Sequence, residues 1–225
     1  MDRDYRYVGQ AHAQTAANER AAAVLRNTYG LLSMSLVVSA VAAWFAMSMG
    51  IGFINPFIVI GVYFVLLFAN AKLENSSAGI LTVFGITGWL GFTTGPLINA
   101  YAQMPGGMDA VFLALAMTAV VFAGMTAIAL VTRKDFSFLG RFLMVGLLVA
   151  FVGAIAGLFF KVPALHLMVS AMFALLSSLL ILWQTSAIIN GGEDNYIRAT
   201  VTLFVSLYNL FLSLLHLLGV FGGDD

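Results

Sequence analysis

No cysteine occurs in the chain, which removes thiol nucleophiles, disulfides and thiolate metal sites from its chemistry. Charge is scarce too: ten basic and ten acidic residues make up 9% of 225 positions, against about a quarter in a soluble domain. A chain so poor in charge does not clothe a compact fold in a wet surface. Its zero net charge leaves no electrostatic footprint for nucleic acid. Also lacking are a nucleophile elbow, an HExxH pair, paired carboxylates and a phosphate loop, so no enzyme signature is read and no cofactor is implied. None of the ten carboxylates, from Asp2 to Asp225, sits centrally in an apolar run. Pumps and cation carriers keep an ionisable group at depth despite its cost in lipid, so this pattern argues against a coupled pump.

What is there is apolar sequence, 61% of the chain. A bilayer crossing needs about 20 predominantly apolar residues, and seven such runs are found. They cover approximately residues 28–49, 55–71, 78–101, 110–132, 142–160, 165–189 and 197–219. The fold expected is an all-α polytopic membrane protein of seven transmembrane helices. Before it, residues 1–27 form a tail too long and polar for a signal peptide, and residues 220–225 form a short tail after it. Alanine in AQTAANERAAAVLRN favours helix in the first tail, which reads either as an interfacial anchor or as a docking segment.

Lysine and arginine orient the stack. With the N-terminus inside, the inner face receives Arg3, Arg6, Arg20, Arg26, Lys72, Arg133, Lys134, Arg141 and Arg198, and the outer face only Lys161. An odd number of crossings then places the C-terminus outside. Gly146, Ala150, Gly153 and Gly157 form a small-residue seam on the fifth helix, and Gly88, Gly91 and Gly95 thin the third before Pro96. Such seams let helices approach closely. The Gly-Pro step reads alternatively as a hinge or a broken-helix ion site.

Thr202, Ser206, Asn209, Ser213 and His216 recur at intervals of four and three, on one face of the seventh helix. A polar stripe turns away from lipid, which makes this helix a centre of the bundle. The stripe serves either as interhelical glue or as the wall of a polar cavity. His216 reads as a neutral, hydrogen-bonded side chain near the outer end rather than a metal ligand, with only His12 and His166 able to join it. On the sixth helix Ser170, Ser177 and Gln184 share a face, and Gln184 is a candidate hydrogen-bond partner for Ser206 or Asn209.

The runs LRNTYGLLSMSL, GPLINAY and NYIRATVTLFVSLYNLFLSLLHLLG resemble the Bax inhibitor-1 family, more closely its proteobacterial YccA-like branch. The resemblance extends over essentially the whole chain. It implies a last helix surrounded by the other six. For several members it implies a calcium leak or pH-sensitive channel and suppression of cell death. For the bacterial branch it implies the inner membrane and a membrane AAA protease, FtsH, met through the cytosolic tail. Channel-like members carry an aspartate late in the sixth helix and another in the seventh. The matching positions here are Gln184 and Ser206, while Asn209 keeps the family's asparagine. Two carboxylates sharing protons would give pH gating and a hard-oxygen cation site; a Gln and a Ser offer only neutral oxygens.

Two functions fit these features. The first is a non-enzymatic membrane regulator that meets an FtsH-type protease through its tail and inner loops, with Glu19, Arg20, Arg26, Arg133 and Lys134 as contacts. The second is a passive Ca2+ or H+ leak between the sixth and seventh helices, past Gln184, Ser206, Asn209, Ser213 and His216.

Overall fold

A computed structural model of the chain describes residues 2–160 and 162–221, with side chains from 15 to 220. The expectations for Lys161 and for residues 222–225, and for the side chains of His12, Arg3 and Arg6, lie outside the described residues. Seven helices and no strands make up the described chain: α1 (Asp2–Ser48), α2 (Pro56–Leu73), α3 (Ala78–Ala102), α4 (Gly107–Thr132), α5 (Leu139–Phe159), α6 (Pro163–Ile189) and α7 (Tyr196–Phe221). All seven contain a stretch long and apolar enough to cross a membrane. The chain is an integral membrane protein.

Local chemistry explains the boundaries. Gly50, with φ of +64°, takes the left-handed conformation that ends α1. Asn55 caps α2 by accepting the N–H of Phe57, and Pro56 follows at the first helical position. Pro163 opens α6 in the same way. Asn195 caps α7 by accepting the N–H groups of Ile197 and Arg198. Most expected spans agree within three residues, and α1 is the exception. Its helix continues N-terminally without a break through the position expected to divide tail from first span. The alanine-rich segment propagates a helix already nucleated in the apolar run, so tail and span are one rod.

The helices form an inner ring and two outriders. α7 packs against α1, α3, α4 and α6, whereas α2 lies on α3 and α5 lies on α6. The resemblance implied six helices around α7; here four touch it extensively, because α2 and α5 are separated from it by their neighbours. Both seams act within the chain. A Cβ on Gly91 would stand 2.2 Å from the Ser39 carbonyl oxygen, and one on Gly95 2.6 Å from that of Ala43, so these glycines let α3 press onto the α1 backbone. Gly146, Gly153 and Gly157 receive Leu176, Val169 and His166 of α6. α3 stays helical through Pro96.

The turns after α2, α4 and α6 gather at one end of the bundle, as hydrogen bonds and ion pairs among them show. Lys72, Arg133, Lys134, Arg141 and Arg198 lie at this basic end, from which the polar part of α1 also extends.

Candidate functional site

At the basic end the α6–α7 turn is bound on both sides. Glu193, 9% exposed, accepts hydrogen bonds from Arg198 Nε at 2.9 Å and Nη2 at 2.9 Å, and from the backbone N–H of Asn195. Arg198 also donates to Glu74 in the α2–α3 turn at 3.0 Å. Asn195 adds bonds to the Glu74 carbonyl and to Asn75. Burial works to raise the Glu193 pKa, but the hydrogen-bonded guanidinium, the Asn195 N–H and the charge on Arg198 hold its carboxyl below the usual carboxylate range. The Gln184 side chain pulls the same way from outside good hydrogen-bond geometry, for its amide nitrogen has no partner among the described residues.

The α4–α5 turn is fastened from the other side. Ser186 Oγ donates to the Lys134 carbonyl and accepts the N–H of Phe136, and Asn190 donates to the same Lys134 carbonyl. Within the turn, Asp135 accepts from the N–H and hydroxyl of Ser137, bonds that keep its carboxyl below the usual range. The backbone is thus held while Arg133, Lys134 and Asp135 remain exposed. On α1, Glu19, Arg20 and Arg26 are exposed as well. The five candidate contact residues are all exposed at one end of the molecule.

Along α7 the stripe faces inward: Ser206 is fully buried, Ser213 is buried, and Thr202, Asn209 and His216 are half-buried. The hydroxyls of Thr202 and Ser206 donate to carbonyls one turn back, Arg198 and Thr202 respectively. No hydrogen bond joins Gln184 to Ser206 or Asn209 among the described residues. The register explains this departure from the expected pairing. Ser170 Oγ lies 2.8 Å from His216 Nδ1, which pins α6 against α7 near the far end. Moving toward the basic end by equal numbers of residues along each helix, Ser177 comes level with Asn209 and Gln184 with Thr202. Gln184 therefore sits about a turn nearer the basic end than Ser206, beside the Glu193 cluster.

His166 stands edge-on to His216, with ring centroids 6.4 Å apart, beside a cavity of about 300 Å3. No cluster of three or more ligating side chains occurs among the described residues. A larger cavity, about 460 Å3, lies against the opposite flank of α7, at Phe204, Leu207, Tyr208 and Phe211.

Sequence reasoning missed the Glu74–Arg198–Glu193 cluster, placing Arg198 only among the basic residues of the inner face. The available signal was an arginine at the start of an apolar helix closely preceded by acids, since a charge at a membrane helix end needs a partner or water.

The profile of the family described as "Inhibitor of apoptosis-promoting Bax1" matches residues 21–223. A protein of Escherichia coli K12 named "Modulator of FtsH protease YccA" is 48% identical over 204 residues, covering 89% of this chain and 91% of that one. An uncharacterized protein of Pseudomonas aeruginosa is 45% identical over 216 residues, 96% and 97% of the two chains. One from Campylobacter jejuni is 31% identical over 229 residues, 98% and 97% of the two.

Proposed function

Because the chain belongs to the family of inhibitors of apoptosis-promoting Bax1, we propose that it is a membrane regulator of protein quality control that engages an FtsH-type AAA protease. The observation that carries this reading is the 48% identity, across nearly the full length of both chains, to a protein named as a modulator of that protease. A further relative of equal identity bears the name inner membrane protein, and we assign this chain to the bacterial inner membrane. The charge asymmetry supports an orientation with the basic end, and thus the polar part of α1, in the cytosol.

The geometry suits a docking role. Glu19, Arg20 and Arg26 lie along a rod that extends from the membrane domain, while Arg133 and Lys134 stand on a turn whose backbone is fixed by Ser186 and Asn190. Rigid presentation of charged side chains lowers the ordering cost of binding a partner.

The test is quantitative affinity capture from native membranes in mild detergent, comparing the full chain with one lacking residues 1–25. Recovery of an FtsH-type protease that falls on truncation is the expected result. Equal recovery from both chains would remove the tail from the mechanism. Recovery of no protease by an intact, folded chain would overturn the reading and turn attention to the leak. There, Ca2+ or H+ flux through liposomes lost on combining Gln184→Leu with Ser206→Ala would identify the α6–α7 path.

A further inference from the structure

The larger cavity has an opening that the bundle does not close. α1 and α4 are bridged near the basic end by Tyr29, whose ring lies 5.8 Å from that of Phe122 and whose hydroxyl is 3.2 Å from Thr126. Beyond that bridge the two helices are not packed against each other. Between them runs a cleft of about 460 Å3, floored by α3 and α7. On its lips Leu36 is 44%, Trp44 67% and Leu115 49% exposed.

Its lining is dry. Four hydroxyls line it: Thr118 donates to Ala114 O within its own helix, Thr94 bonds both Leu90 O and the Tyr208 hydroxyl, and Ser39 lies against Gly91 at the α1–α3 contact. A stable buried water needs two to four polar partners, and three of these four hydroxyls are already engaged within the protein. The cleft is lined by membrane-spanning stretches, so what reaches it laterally below the level of the headgroups is hydrocarbon. Its shape selects among apolar occupants. From Leu36 to Met47 on α1 it extends about 16 Å, and its volume of about 460 Å3 falls within the range of about 300–1,000 Å3 typical of a pocket for one small ligand. An unbranched hydrocarbon chain suits a narrow cleft of that length and volume.

We infer that the α1–α4 cleft is a binding site for a single lipid acyl chain, entering from the leaflet away from the basic end. Trp44, exposed on the lip near the end of α1, stands at the depth where indole rings meet headgroups. The bound chain completes the wall around α7 that α1 and α4 leave open.

The test uses the full-length protein in phosphatidylethanolamine and phosphatidylglycerol vesicles in which a fraction of the acyl chains carries a mid-chain diazirine. After illumination, crosslinked peptides are mapped by mass spectrometry. Several-fold denser labelling of residues 36–47 and 115–122 than of the lipid-facing side of α5 is expected. Ala119→Phe, at an exposed alanine on the α4 lip, fills the cleft and removes that excess, as does Ala40→Phe from the α1 side. Val131→Phe, at a position 82% exposed outside the cleft, leaves it unchanged. Labelling no denser than on α5, or an excess that survives both filling variants in folded protein, would overturn the assignment. So would crosslinks from the cleft, in native membranes, to a second polypeptide instead of lipid.

Discussion

At the scale of single residues, Arg198 holds the basic end together. It is half exposed, so its contact with the exposed Asp194 contributes little. Its bonds to Glu193 matter more, because Glu193 is buried and loses a charged partner if the guanidinium goes. Arg198→Ala is expected to destabilise the fold by about 1–3 kcal/mol, read as a lowered Tm in detergent near neutral pH. The pH dependence has a definite sign. The folded Glu193 carboxyl titrates below its ordinary value of 4.5, so its stabilisation is complete above that pH and is lost as pH falls through the folded value. Thermal unfolding of the wild type should steepen in that acid range, and Arg198→Ala should flatten it. An equal acid response in both proteins would show that other carboxylates dominate. The residues of this cluster were individually visible in the sequence, but their convergence was not, since Glu74 and Arg198 come from separate hairpins. For the Gln184 pairing the sequence supplied faces without depth. Periodicity says which residues share a side of a helix, and only the α6–α7 turn sets how far along they meet.

At the scale of elements, the glycines of α3 divide from those that merely occur in helices. Gly91→Ala drives a methyl into the Ser39 carbonyl oxygen and forces α1 and α3 apart. A loss of about 1–3 kcal/mol is expected, as for overpacking in a core. Gly124→Ala meets nothing within 4 Å on α4, and should leave stability unchanged or raised through helix propensity. Parallel unfolding curves in one detergent check the contrast, and equal losses would show that helix propensity, not α1–α3 contact, governs both sites. The helices themselves were legible, because an apolar run of bilayer length has few other fates. The start of α1 was not. Its polar segment carries helix propensity but no apolar stripe, so nothing in it distinguishes a separate tail from a continuation of the span.

At the scale of the whole molecule, three turns from different parts of the chain are joined into one face. Ser186 is the fastener of the α4–α5 turn, and Ser186→Ala removes both its bond from Phe136 N–H and its bond to the Lys134 carbonyl. Amide hydrogen exchange across residues 133–138 should quicken by at least several-fold, with protection elsewhere in α6 retained. Unchanged exchange would show that Asn190 suffices. The central position of α7 was readable from its polar stripe. The division into four neighbours and two outriders was not, because α2 and α5 are as apolar as the ring helices and composition alone does not rank their distance from the centre.

α1 also has a mechanical consequence. A machine that unfolds proteins by hauling on one end works best on a slack leader followed by contacts that yield one at a time. Here the polar segment before the membrane domain belongs to the same unbroken helix that seats on Gly91 and Gly95. A pull along its axis loads the whole α1–α3 seam in shear, so a translocating motor that grips this rod must break many contacts together before the first residue of the membrane domain yields.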